Sequence, residues 1–97
     1  LKKSYSQTGA VCRVTFKYDN AEQAGSAVLA GEFNGWSLAD TPMKKLKDGS
    51  FSATLSLPAG QSYRFRYVLD GNVWVNDPAA DSYAPNEYGE ENSVLNT

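Results

Sequence analysis

Histidine is absent from this chain of 97 residues, and cysteine occurs once, at Cys12. The first absence removes the commonest general base and the commonest zinc ligand together. The second excludes an internal disulfide, and a lone thiol fits a reducing compartment, so a cytoplasmic setting is expected. No apolar run approaches the roughly 20 residues that a membrane span needs, and no secretory signal opens the chain. A membrane partner is therefore not expected. Excess charge is missing too: the net charge is −2, and the basic residues are dispersed apart from Lys2-Lys3 and Lys44-Lys45-Lys47. That is not the basic stripe of a nucleic-acid binder. A chain of 97 residues suffices for one domain with one core.

What the sequence does have is alternation. In Cys12-Arg13-Val14-Thr15-Phe16-Lys17-Tyr18, the residues Cys12, Val14, Phe16 and Tyr18 share one face. Phe51, Ala53, Leu55 and Leu57 repeat the pattern, as do Tyr63, Phe65, Tyr67 and Leu69, the last set alternating with Arg64, Arg66 and Val68. A period of two marks strands with one buried face. Ala27-Val28-Leu29-Ala30-Gly31 reads as a shorter strand covered on both sides, and Val73-Trp74-Val75 and Ser93-Val94-Leu95 as two more. Turn signals separate them at Asp19-Asn20, Asn34-Gly35, Asp48-Gly49, Pro58-Ala59-Gly60 and Asp70-Gly71. Six or seven short strands with no helical stripe predict an all-β, immunoglobulin-like antiparallel β-sandwich. Its expected core holds Val14, Phe16, Leu29, Phe33, Phe51, Leu55, Phe65, Tyr67 and Leu69.

Residues 76–91 carry Pro78, Pro85, Asn86 and Gly89 without apolar alternation, and read as one ordered loop anchored by Tyr83 and Tyr88. Residues 1–9 read as a frayed tail, leaving 10–97 as a single β-sandwich domain.

Two tryptophans stand out against this frame. Trp36 closes Gly31-Glu32-Phe33-Asn34-Gly35-Trp36, and Trp74 follows the Asp70-Gly71 turn. Each indole is therefore expected on or just past a turn, near the surface, where a large apolar ring is costly unless covered or used. Two such plates suit a ligand with flat apolar faces and polar edges, which describes a pyranose. The plain alternative is that both fold back as plugs of the sandwich. Arg66 is placed by alternation on the outer face beside the Trp74 strand. Its planar fork can donate to vicinal hydroxyls or, more plainly, pair across strands. Asn92, at the start of the last strand, either caps the loop backbone or binds hydroxyls. Asp77, Glu90 and Glu91 raise the question of glycoside hydrolysis, which needs two carboxylates held across a cleft. Acids confined to turns and loops do not meet that need, and together with Asp81 and Glu87 they lack the spacing of a calcium loop. No catalytic residue, metal or cofactor is expected.

Several motifs resemble one family. They are Gly31-Glu32-Phe33-Asn34-Gly35-Trp36, Leu57-Pro58-Ala59-Gly60, Tyr63-Arg64-Phe65-Arg66-Tyr67-Val68-Leu69-Asp70-Gly71 with Trp74, and Asn76-Asp77-Pro78. Together they resemble the family-48 carbohydrate-binding module. This family is also called the isoamylase N-terminal or early-set domain, and it includes the glycogen-binding domain of the AMP-activated protein kinase β subunit. The ending from Pro85 through Asn92 to Val94 is similar to small bacterial members that stand alone. The resemblance spans about residues 11–97.

It implies an early-set sandwich and a non-catalytic carbohydrate-binding domain for α-glucan polysaccharides or oligosaccharides such as glycogen and starch. Trp36 falls at the family's first tryptophan, and Trp74 at the second, one residue further from its turn. Arg66 stands where members have a lysine, and Asn92 at their asparagine. Tyr88 and Glu90 take the places of a leucine and a threonine. The resemblance also implies a monomer and a glycogen-metabolising enzyme as second partner. The competing expectation is a packing or protein-interaction module associated with a family-13 glycoside hydrolase that has lost sugar binding.

Overall fold

The alternating runs become strands in a computed structural model that describes residues 1–97. In chain order they are β1 (Lys2–Tyr5), β2 (Val11–Tyr18), β3 (Ala27–Gly31), β4 (Lys44–Lys45), β5 (Phe51–Pro58), β6 (Ser62–Leu69), β7 (Val73–Val75), β8 (Ser82–Pro85) and β9 (Glu91–Asn96). One sheet runs β1-β2-β5-β4 and the other β3-β6-β9-β8, with β7 also paired to β6, and every pairing is antiparallel. The only helical element is a 3-10 turn at Glu32–Asn34. The fold is the all-β sandwich that the alternation predicts.

The core lies between the inner faces. Cys12, Val14, Phe16 and Phe51 from one sheet meet Leu29, Phe65, Tyr67, Leu69 and Leu95 from the other, none more than 1% exposed. Phe16 meets Phe65 edge-on with ring centroids 5.2 Å apart. Each such buried side chain contributes about 1.5–3 kcal/mol of transfer free energy. Phe33 and Leu55, expected in the core, are only half-buried. Phe33 sits in the 3-10 turn at the sandwich rim, beside Phe16 and Tyr63. Leu55 lies on β5 beyond the reach of β4, which pairs only with Ser52 and Phe51.

Two expectations are corrected. Residues 1–9 do not fray as a whole: β1 pairs with β2 from Lys2↔Thr15 to Tyr5↔Cys12. Lys3 Nζ donates to Asp81 Oδ2 at 2.6 Å, and the Tyr5 hydroxyl donates to the carbonyl of Thr97. The unpaired edge of β2 supplies the ladder, and partners 78 and 92 residues away hold the strand down. Residues 76–91 are not all loop either, since β8 pairs with β9 from Ser82↔Val94 to Pro85↔Glu91. It is an edge strand ending in proline, which lacks the donor a central strand needs.

β6 organises the second sheet. Along one side it pairs with β3 from Phe65↔Gly31 to Leu69↔Ala27. Along the other, Ser62 to Phe65 pair with β9 while Tyr67 to Leu69 pair with β7. Arg66 falls at the changeover, and the two partner strands diverge there. Val68 points outward with Arg66 yet is fully buried, because Val28 and Trp74 flank it directly across both neighbouring strands.

Candidate functional site

The first indole is set by a stapled turn. Gly31 is extended, and a Cβ there would lie 2.7 Å from the Phe33 ring and 2.8 Å from the carbonyl oxygen of Arg64, so only glycine permits this approach. The Asn34 side chain accepts from Gly31 N–H at 3.1 Å and donates to the Leu29 carbonyl at 2.9 Å and to Thr41 Oγ1 at 3.1 Å. Trp36 N–H closes the turn onto the Gly31 carbonyl at 2.8 Å. Gly35 and Trp36 are both left-handed, with φ of 66° and 60°. That region costs a residue bearing a Cβ on the order of 1–2 kcal/mol. The ring is thus half-buried and held in place by its backbone.

The second indole comes from the changeover on β6. Trp74 stands on β7 opposite Val68, with 40% of its surface exposed. Its ring centroid is 6.4 Å from that of Trp36, with the planes inclined by 43°. Neither ring plugs the sandwich. Arg66 reaches across the gap: Nη2 donates to the Trp74 carbonyl at 3.0 Å and Nη1 to Glu90 Oε1 at 2.9 Å. Its Nε is buried without a partner. The guanidinium therefore does pair across the sheet, and each terminal nitrogen retains a second N–H.

The third wall is the loop before β9. Asn86 Oδ1 accepts from the backbone N–H of Tyr88 and of Glu90, at 3.0 and 3.1 Å, so one side chain folds the whole loop. Asn86 Nδ2 also donates to Asn92 Oδ1 at 3.3 Å. Asn92 is buried and tied to the loop through a side chain rather than through backbone. Its own amide nitrogen has no partner within the protein. Tyr88 is 80% exposed.

These elements enclose a cleft of about 620 Å³ on the outer face of the second sheet. Trp36, Arg66, Trp74, Tyr88, Glu90 and Asn92, the residues expected from sequence, all line it. So do Pro85, Asn86 and Glu87 from the loop expected to form one wall of the site, and Glu32 and Arg64, which the sequence did not assign to it. Asn86 left a usable signal, since Asn after Pro in a turn bonds its own backbone two residues on. Glu32 left none: its Oε1 accepts the Arg64 backbone N–H at 2.6 Å across 32 residues of sequence.

Asp77 and Glu90, two of the acids considered from sequence, do not stand together as a free pair in the cleft. Asp77 is buried away from the cleft, accepting from the Tyr67 hydroxyl at 2.7 Å and from Ala79 N–H at 2.7 Å. Burial pushes the Tyr67 hydroxyl well above the ordinary tyrosine range, and the Asp77 carboxylate adds to the effect. Glu90 is committed to Arg66.

A pair of partly exposed indoles beside hydrogen-bonding side chains lies on the outer face of an all-β sandwich. The family model described as the glycogen recognition site of AMP-activated protein kinase matches residues 12–97, which include every cleft residue. The chain belongs to this family, and its class of function is carbohydrate recognition of the glycogen type. A search of the curated proteins finds no match.

Proposed function

We propose that the domain binds α-glucan chains of the glycogen and starch type without catalysing their cleavage. The observation that carries this reading is the pair of indoles, 6.4 Å apart and inclined by 43°, facing one cleft. Two tilted plates follow a curved chain better than a flat one, and each covers the apolar face of one sugar ring. The spare N–H groups of Arg66 and the free amide nitrogen of Asn92 take hydroxyl groups, while Tyr88 and Glu90 form the wall of the cleft. Affinity is modest, because lost rigid-body freedom offsets much of what two stacked rings contribute. Hydrolysis is not expected, given the seclusion of Asp77 and the pairing of Glu90 with Arg66.

Titration with β-cyclodextrin and maltoheptaose, followed by tryptophan fluorescence, tests the reading. A saturable change with both sugars is expected. A flat response to both at millimolar sugar would sink it.

A further inference from the structure

The cleft continues beyond the tryptophans. Along the outer face of β6 the order is Arg64, Arg66, Val68, with Trp74 paired to Val68. Arg64 thus lies four residues from the Trp74 row, about 13 Å along the strand. Its side chain lines the cleft and is exposed, forming no ion pair and donating no hydrogen bond. Arg66, by contrast, is fixed by Glu90 and the Trp74 carbonyl. Glu32 sits beside Arg64 with one oxygen on the Arg64 backbone and the other uncommitted. A free guanidinium fork and a free carboxylate oxygen therefore share one end of the cleft. A sugar hydroxyl both donates and accepts, so this combination matches neighbouring hydroxyl groups.

We propose that Arg64 and Glu32 form an outlying polar subsite for a sugar residue beyond those stacked on Trp36 and Trp74. The inference rests on the α-glucan reading above and deepens it: the ligand is an extended chain, and binding strengthens with its length. Arg66 acts as the fixed spacer between the aromatic and the polar ends.

Isothermal titration of the wild type, Arg64→Gln and Arg64→Lys with maltotriose and maltoheptaose tests this. Arg64→Gln is expected to weaken maltoheptaose binding about fivefold to tenfold, the loss of a charge-assisted hydrogen bond, and to leave maltotriose unchanged. Arg64→Lys, which keeps the charge but not the fork, falls between. Thermal melts stay level, since the side chain has no protein partner to lose. An unchanged maltoheptaose affinity, or an equal loss for both sugars, overturns the subsite while leaving the glucan reading intact. A wild type that binds neither sugar removes both.

Discussion

Trp36 and Trp74 lie side by side in the cleft, ring centroids 6.4 Å apart, on segments with no main-chain pairing between them, one set by the Asn34 staple and the other by the Val68 ladder. Each can be removed without cutting a strand. Stacking on a nucleobase is worth about 1–3 kcal/mol per aromatic ring, a rough analogue for a sugar face. Trp74→Ala is therefore expected to weaken glycogen binding on the order of tenfold to a hundredfold. It uncovers Val68, at a stability cost of about 1 kcal/mol or less. Trp36→Ala weakens binding similarly and costs more stability. Affinity electrophoresis in glycogen gels, with thermal melts on the same preparations, checks both. Unfolding of Trp74→Ala would make that ring core rather than ligand surface.

Cys12 lies between the sheets with no exposed surface, on the same face as Val14 and Phe16. Native protein is expected to react with thiol reagents far more slowly than unfolded protein. Cys12→Ser buries a hydroxyl in an apolar layer, costing about 1–3 kcal/mol without changing sugar affinity. Fast labelling of the folded chain is the contrary result.

Asp81 gives the fold an acid limit. Burial alone would raise its pKa, but the Asn96 backbone N–H and the Lys3 ammonium outweigh burial and hold it below the ordinary carboxylate value. A lowered pKa contributes stability above about pH 3.9, the unfolded value, and that stability is lost as pH falls through the folded value. Asp81→Asn is expected to lower the melting temperature by a few degrees at pH 7, about 1 kcal/mol or less. As the pH falls below about 3.9 the difference from wild type should shrink. A constant difference across that range would assign the effect to packing.

Tyrosines set the alkaline limit. Burial raises the Tyr67 hydroxyl, with Asp77 reinforcing it, and burial followed by the Glu22 hydrogen bond pushes Tyr18 up to about 12. Unfolded tyrosine ionises near pH 10, so stability is full below that and declines as pH rises towards the folded values. The expected alkaline titration, followed by the 295 nm absorbance of tyrosinate, contains one cooperative step in which the buried Tyr67 ionises as the fold opens. Tyr67→Phe leaves the Asp77 carboxylate short of a buried donor and costs about 1–3 kcal/mol at neutral pH.

Local signals made the central strands legible. Cys12 to Tyr18 and Tyr63 to Leu69 alternate because one face is sealed against the opposite sheet, and period two records that directly. β1 and β8 were not legible, since edge strands with few apolar residues owe their position to partners elsewhere, such as Asp81 for Lys3 and β9 for Ser82–Pro85. The cleft splits the same way. Its indoles could be read from their turns, and Arg66 from its place in the alternation. Arg64 shares that alternation, but its meeting with Glu32 could not be read, because it depends on the long-range register of Gly31 with Phe65.

Position 36 is thermodynamically tilted against the residue it holds. Its left-handed backbone, φ 60°, suits glycine and penalises everything with a Cβ, tryptophan and alanine alike. Trp36→Gly should consequently melt above Trp36→Ala by roughly 1 kcal/mol, although both lose the indole. Glycine at this turn therefore relieves the backbone penalty while giving up the packing of the ring, two effects that the pair of replacements separates.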